Sequence, residues 1–187
     1  MTIKYFDNAA SSWPKPPTVI EAMKEAIVNT SANPGRGSHR KAVEASRILF
    51  ETRAKLAKLF GIPNPIDIAF TLNTTSALNL AIKGYLRERD HVICTNIEHN
   101  SVRRPLEYLK QTKQVGITYL ECDVQGEISL EALEQAFTPQ TRLLVINHSS
   151  NLLGNILPIE DMCSMAKSRG VATLIDAAQT AGTIKID

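Results

Sequence analysis

The chain has 187 residues, with 21 Lys and Arg against 19 Asp and Glu, a net charge of +2 spread along it without a basic block. That length fits one domain, or a domain with an arm, and 43% hydrophobic with 21% charged residues is the composition of a soluble globule rather than a disordered chain. A nucleic-acid groove has no electrostatic footprint here, and no apolar run approaches the roughly 18 residues of a membrane span, so neither kind of partner is expected.

Residues 1–16 read as an arm. Its start, MTIKYFDN, lacks the apolar core of a signal peptide, which makes the cytoplasm the expected compartment. Trp13-Pro14-Lys15-Pro16-Pro17 fixes an extended path and then supplies a first helical turn. Val19, Ile20, Met23 and Ile27 predict a helix over 17–29. A turn-rich loop, Ala32 to Ser38, precedes a long helix over 39–60 with Ala42, Ala45, Leu49, Leu56 and Phe60 on one side, closed by Gly61 and Pro63.

Beyond residue 63 strands and helices alternate. Strands are predicted at 66–71, 91–95, 116–121, 142–147 and 171–175. Helices are predicted at 75–86, with Leu78, Ala81, Ile82 and Tyr85 inward, near 102–113, at 129–137, and from Pro158 to near Gly170. The pattern specifies an α/β fold, a mostly parallel sheet with helices on both faces. Cys94, Cys122 and Cys163 are odd in number and widely spaced without a C-x-x-C pair, which reads as reduced thiols, with no metal site expected.

In an open parallel sheet, ligands bind outside the carboxyl ends of the strands, where loops and helix N-termini converge. Leu72-Asn73-Thr74-Thr75-Ser76 is a hydroxyl-rich turn opening a helix, suited either to a phosphate or merely to capping. Asn96-Ile97-Glu98-His99-Asn100 brings an imidazole to the same edge. His148-Ser149-Ser150-Asn151 with Gly154 brings an amide, and Asp176-Ala177-Ala178-Gln179 a carboxylate and a second amide. Each has a bland reading as turn chemistry, a solvated ring or an N-cap. Together they suit a ligand with an anionic group, a flat ring to stack and a basic ring nitrogen, as in pyridoxal phosphate (PLP). Gly35-x-Gly37 is no dinucleotide loop, because it follows a helix and lacks a third glycine.

Tyr5-Phe6-Asp7-Asn8-Ala9-Ala10, Leu72 to Asn79, Glu98-His99-Asn100, Asn151 with Gly154, and Asp176 to Gln179 resemble, in order, the motifs of class V aminotransferases, and most closely the cysteine desulfurase group. The Trp-Pro-Lys-Pro and Pro-Gly-Arg-Gly-x-His runs, the latter ending at His39, resemble one branch of that group. The resemblance implies a PLP-dependent transferase large domain over 17–187, stopping before the last core strands and the small C-terminal domain. It implies that Thr74 and Thr75 cup the cofactor phosphate, that His99 stacks on the ring and shuttles protons, that Asn151 and Gln179 donate near the phenolic oxygen, and that Asp176 partners the pyridine nitrogen. Asn8, Ala9 and His39 stand where relatives approach the substrate.

No lysine here matches the one that holds the cofactor covalently in relatives. Lys185 follows Asp176 too closely, and the family's nucleophilic cysteine and carboxylate-binding arginine are also unmatched. The expectation is therefore the N-terminal half of a cysteine desulfurase, inactive by itself, whose parent takes a small amino acid, pairs as a homodimer and passes sulfur to an acceptor protein. The alternatives are another class V enzyme (a selenocysteine lyase, an epimerase or an aminotransferase), a non-catalytic truncated relative, and a nucleotide-binding module built on Thr74 and Thr75. The sequence following Asp187 would discriminate among them.

Overall fold

A computed structural model describes residues 3–186. Contacts divide the chain into two compact units, the described residues up to Ala69 with Lys185 and Ile186, and Phe70–Ile184.

In the first unit, helix α1 (Pro17–Asn29) begins where Pro17 supplies a helical φ at a position that needs no N–H partner. Its apolar stripe is not covered: α1 has no buried residue, and Ile20, Met23 and Ile27 are 56%, 60% and 65% exposed. Helix α2 (Arg40–Leu59) buries Ala42, Ala45 and Ala57, whereas Leu49 is exposed and Leu56 and Phe60 are only half-buried.

The strand expected at 66–71 is absent. Asn64 Oδ1 accepts the Ile66 N–H at 3.1 Å and opens a short 3-10 helix, Pro65–Asp67. Ile68 then turns extended, but its carbonyl accepts the Arg53 Nε–H at 2.9 Å rather than joining a ladder. An alternating run becomes a strand only when a neighbour satisfies its backbone groups, and residues 66–71 pair with none of the four strands of the described sheet.

The second unit contains helix α3 (Thr74–Tyr85), strand β1 (His91–Thr95), helix α4 (Asn100–Lys113), strand β2 (Gly116–Leu120), helix α5 (Leu130–Ala136), strand β3 (Thr141–Asn147), helix α6 (Ile159–Ser168) and strand β4 (Ala172–Asp176). The four strands are parallel in the order β2-β1-β3-β4. Alternation along the strands sorts side chains to two faces. Val92, Cys94, Leu143 and Val145 pack with Leu78 and Ile82 of α3 and Val102, Leu106 and Leu109 of α4. Ile93, Leu144 and Ile146 pack with Leu133 of α5 and Met162 and Ala166 of α6. The helices thus cover both faces as the sequence predicts, although Tyr85, expected inward, is 45% exposed.

This strand order places the site. The chain leaves β1 toward β2 through α4 on one face, and leaves β3 toward β4 through α6 on the other. The loops after the adjacent strands β1 and β3 therefore diverge and open a crevice at their carboxyl ends, a topological switch point.

Candidate active site

Four segments of the second unit deliver polar groups to the carboxyl ends of the strands. At the start of α3, Asn73 is the N-cap, its Oδ1 accepting the Ser76 N–H at 2.8 Å. That removes the capping explanation for Thr74 and Thr75. Both are exposed, and their hydroxyls have no hydrogen-bond partner among the described residues, so hydroxyls and first-turn N–H groups stand together at the positive end of the helix dipole.

Asn79 ties this turn to the next. Its Nδ2 donates to the Thr75 carbonyl at 3.0 Å and reaches the Ser101 carbonyl at 3.5 Å. The Ser101 carbonyl is available because the residue four positions on, Pro105, has no N–H to give it.

His99 caps α4. Its Nδ1 accepts the Ser101 N–H at 3.2 Å and lies 2.7 Å from the Ser101 hydroxyl, which fixes the ring at its back while the residue stays exposed. His99 and Thr75 line one cavity of about 410 Å³, together with Lys83, Arg104 and Tyr108. His99 also lines a second cavity of about 460 Å³ with Glu98, Arg103 and Asn151. The exposed Asn151 is presented by a tight turn in which the Gly154 N–H donates to the Ser150 carbonyl at 2.8 Å, with Gly154 at φ +72°.

Asp176 ends β4, opposite Asn147 of β3, and is only 7% exposed. It caps no helix. Its Oδ1 accepts the Ala178 N–H at 3.0 Å in a local turn that carries Gln179, and its carbonyl accepts the His148 N–H at 2.9 Å. Thr180, beyond that turn, joins it to the β3 loop through a 2.9 Å contact with His148 Nδ1.

Sequence reasoning named Glu98 only as part of a motif. In the structure it is 6% exposed and bridges the two diverging strands, its Oε1 accepting Thr95 Oγ1 at 2.7 Å and the Asn147 N–H at 2.9 Å. Burial, with a smaller push from nearby Asp176, raises this carboxyl to about 7 against the pull of those hydrogen bonds. An acidic residue just past a strand as apolar as Val92-Ile93-Cys94 was the signal that could have found it.

The remaining candidates belong to the first unit. Asn8 Oδ1 accepts the Trp13 N–H at 3.2 Å and so folds the arm on itself, Ala9 is exposed in the same turn, and His39 caps α2 through Nδ1 from the Ala42 N–H at 3.3 Å. The described residues contain no cluster of metal-ligating side chains, and no helix among them is long and apolar enough to cross a membrane.

The family model for class V aminotransferases matches residues 4–187. Among curated proteins, the chain is 33% identical to a probable cysteine desulfurase of Halalkalibacterium halodurans and 35% identical to one of Pyrococcus abyssi, in each case over 98% of this chain and 46% of the relative. Among solved structures it matches the apo cysteine desulfurase of Thermococcus onnurineus (32% identity, TM-score 0.90, 97% of this chain and 46% of that one). It also matches a structure described as SspA in complex with cysteine (35% identity, TM-score 0.91, 99% and 53%). The chain spans about half the length of the curated relatives it matches. A family match over nearly every residue, on the parallel sheet and crevice described above, means that this chain belongs to the class V aminotransferases.

Proposed function

We propose that the chain is the amino-terminal, cofactor-holding half of a PLP-dependent cysteine desulfurase. One observation carries this reading. At the carboxyl end of the sheet, Thr75 beside Thr74 at a helix N-terminus shares a cavity with the anchored ring of His99, and the buried carboxyl of Asp176 closes β4, although neither Thr74 nor Asp176 lines the cavities at His99. That donor set fits PLP: helix N–H groups and hydroxyls for the phosphate, a flat ring for the pyridine face, and a carboxylate for the ring nitrogen. Asn151 and Gln179 are assigned to the phenolic oxygen. When bound, PLP supplies an electron sink for the α-carbon of an amino acid.

The protein's own part is to hold and orient. Asp176 would hold the pyridine nitrogen of the bound cofactor, and His99 would lie against its ring with Nε2 as the nitrogen that moves a proton, since Nδ1 is already tied to Ser101. Cysteine is the favoured substrate because the relatives are named as desulfurases and one matched structure is described as holding cysteine. Asn8, Ala9 and His39 are assigned to the substrate's approach. In the complete reaction the carbon–sulfur bond of L-cysteine breaks, an enzyme thiol takes the sulfur as a persulfide, and alanine leaves. Cys94 is unsuited to that task, because it is buried in the sheet and burial pushes its thiol pKa up. This reading assigns the nucleophilic cysteine, the covalent lysine and the carboxylate-binding arginine to residues beyond these 187, and the working unit to a homodimer that hands sulfur to an acceptor protein.

Fusion to the carboxyl-terminal half of the P. abyssi relative tests it. The chimera is expected to take up PLP, seen in its absorption, and to release alanine from L-cysteine. PLP uptake without alanine would remove the desulfurase assignment and leave the cofactor site. For the phosphate end, replacing both Thr74 and Thr75 with Val removes the hydroxyl donors and leaves the helix N–H groups, and should weaken PLP retention on dialysis by about tenfold, the equivalent of the roughly 1.5 kcal/mol at the low end for a hydrogen bond to a charged group. The cofactor-free melting temperature should change little, because neither hydroxyl has a partner to lose. Equal retention would contradict the assignment.

A further inference from the structure

Two buried oxygens where β1 and β3 end side by side have no donor. Glu98 Oε2 and Asn147 Oδ1 are both sealed from solvent and without a hydrogen-bond partner. The other polar groups around them are engaged. Glu98 Oε1 accepts both Thr95 Oγ1 and the Asn147 N–H, and Asn147 Nδ2 donates to the Ile97 carbonyl at 3.2 Å. That last bond fixes the amide, because turning the Asn147 side chain over would give up this hydrogen bond and set Oδ1 against the Ile97 carbonyl. Two residues already bonded to each other each hold a spare acceptor, and what the cluster lacks is a proton.

We propose that Glu98 is a positioning residue that works as a neutral acid, carrying its proton on Oε2 and clamping the carboxyl ends of β1 and β3 while Asp176 remains the charged carboxylate of the crevice. The part given to Asp176 rests on the cofactor reading, whereas the proton on Glu98 does not.

The surroundings favour the neutral form. Burial is the largest influence on Glu98 and raises its pKa, the hydrogen bonds from Thr95 and Asn147 lower it, and Asp176 raises it. On β1 the neighbouring Cys94 thiol is itself pushed up and carries no charge. On α4, Arg103 lines the same cavity but is exposed to solvent. On β3, His148 follows Asn147 and is held by Thr180, and on β4 Asp176 stands in register with Asn147. His99, next in sequence, is tied to Ser101.

The clamp matters because Glu98 is joined directly to His99, so whatever fixes Glu98 on β3 fixes the backbone from which the imidazole projects. A second carboxylate charge beside Asp176 would repel it and leave Oε2 charged in a dry site. The sign follows. The pKa is raised from 4.5 to about 7 in the folded chain, so the stabilisation is full below 4.5 and is lost as pH rises toward and through about 7.

The test needs no cofactor. The full-length chimera described above, kept free of PLP, and its Glu98→Gln variant, labelled with 13C at glutamate carboxyl carbons, are titrated by NMR, and thermal unfolding is followed over the same pH range. One resonance is expected to titrate near 7 and to vanish in E98Q. Because the amide keeps an acceptor and puts N–H where the proton sits, E98Q should fold. Its unfolding constant should fall progressively below the wild-type value as pH rises from about 4.5 to about 7, by about tenfold or more, and the gap should level off above that. A Glu98 midpoint in the ordinary carboxyl range, an E98Q variant that does not fold, or one with the wild-type pH profile would each overturn the proposal. Failure of PLP binding would count against the cofactor reading and leave this titration standing.

Discussion

Asp176→Asn is expected to weaken the chain's hold on PLP by about ten- to a hundredfold, the equivalent of the 1.5–3 kcal/mol of a charged hydrogen bond. Asn keeps the side chain's shape and an acceptor for the Ala178 N–H, so the turn after β4 should survive. What is lost is the negative charge, and with it the means to keep the pyridine nitrogen protonated. In a full-length chimera the same change should therefore depress turnover more than it depresses cofactor binding, since a neutral pyridine is a poor electron sink. Absorbance titration with PLP checks the first effect and single-turnover kinetics the second. Unchanged retention would remove Asp176 from the site.

Mixed with PLP and treated with borohydride, the 187-residue chain alone is expected to carry no covalent cofactor in the crevice and to release no alanine from L-cysteine. The two cavities that meet at His99 contain one lysine among their lining residues, Lys83, and its ammonium stands over the Tyr108 ring at 5.1 Å. No cysteine lines either cavity. The chain alone is also expected to be weakly stable and prone to associate. Leu72 is 96% exposed, the stripe of α1 is bare, and β4 pairs only with β3, which leaves its other edge open. Peptide mapping of the reduced adduct locates any modified residue. A cofactor fixed within the crevice, or alanine formed by the chain alone, would overturn the assignment of lysine and cysteine to residues outside it.

The second unit was readable because its signals are local. Apolar residues recur at helical spacing in α3 and α4, strands such as Leu143 to Ile146 are continuous apolar runs, and caps sit at the boundaries, so the elements from residue 74 onward fall within a residue or two of their predicted ends. Where a signal depends on a neighbour, reading along the chain failed. Ile66 to Thr71 has strand alternation but no adjacent strand, and Val19, Ile20, Met23 and Ile27 form a stripe whose burial the sequence implies and the structure does not supply. The site divides in the same way. Asp176 stood out as a charge ending an apolar strand, whereas Glu98 acquires its environment from Asn147, 49 positions away, through a contact no spacing rule encodes. Asn79 was likewise named only as part of a motif, because its bond to the Ser101 carbonyl depends on the missing N–H of a proline on another helix.

The order β2-β1-β3-β4 also constrains when the crevice can form. Strand β1 ends between two strands that follow it in the chain, and its pairing with β3 joins His91 to Thr141 across 50 residues. During synthesis, β1 and β2 can pair first through the shorter connection, leaving the other edge of β1, with its Val92-Ile93-Cys94 core, unpaired until Thr141–Asn147 has left the ribosome. For that interval the nascent chain displays an apolar strand edge, the kind of surface that chaperones recognise and that long-range pairing is slow to cover. The clamp from Glu98 to the Asn147 N–H cannot close any earlier, so the backbone bearing His99 gains its support only once β3 has joined the sheet.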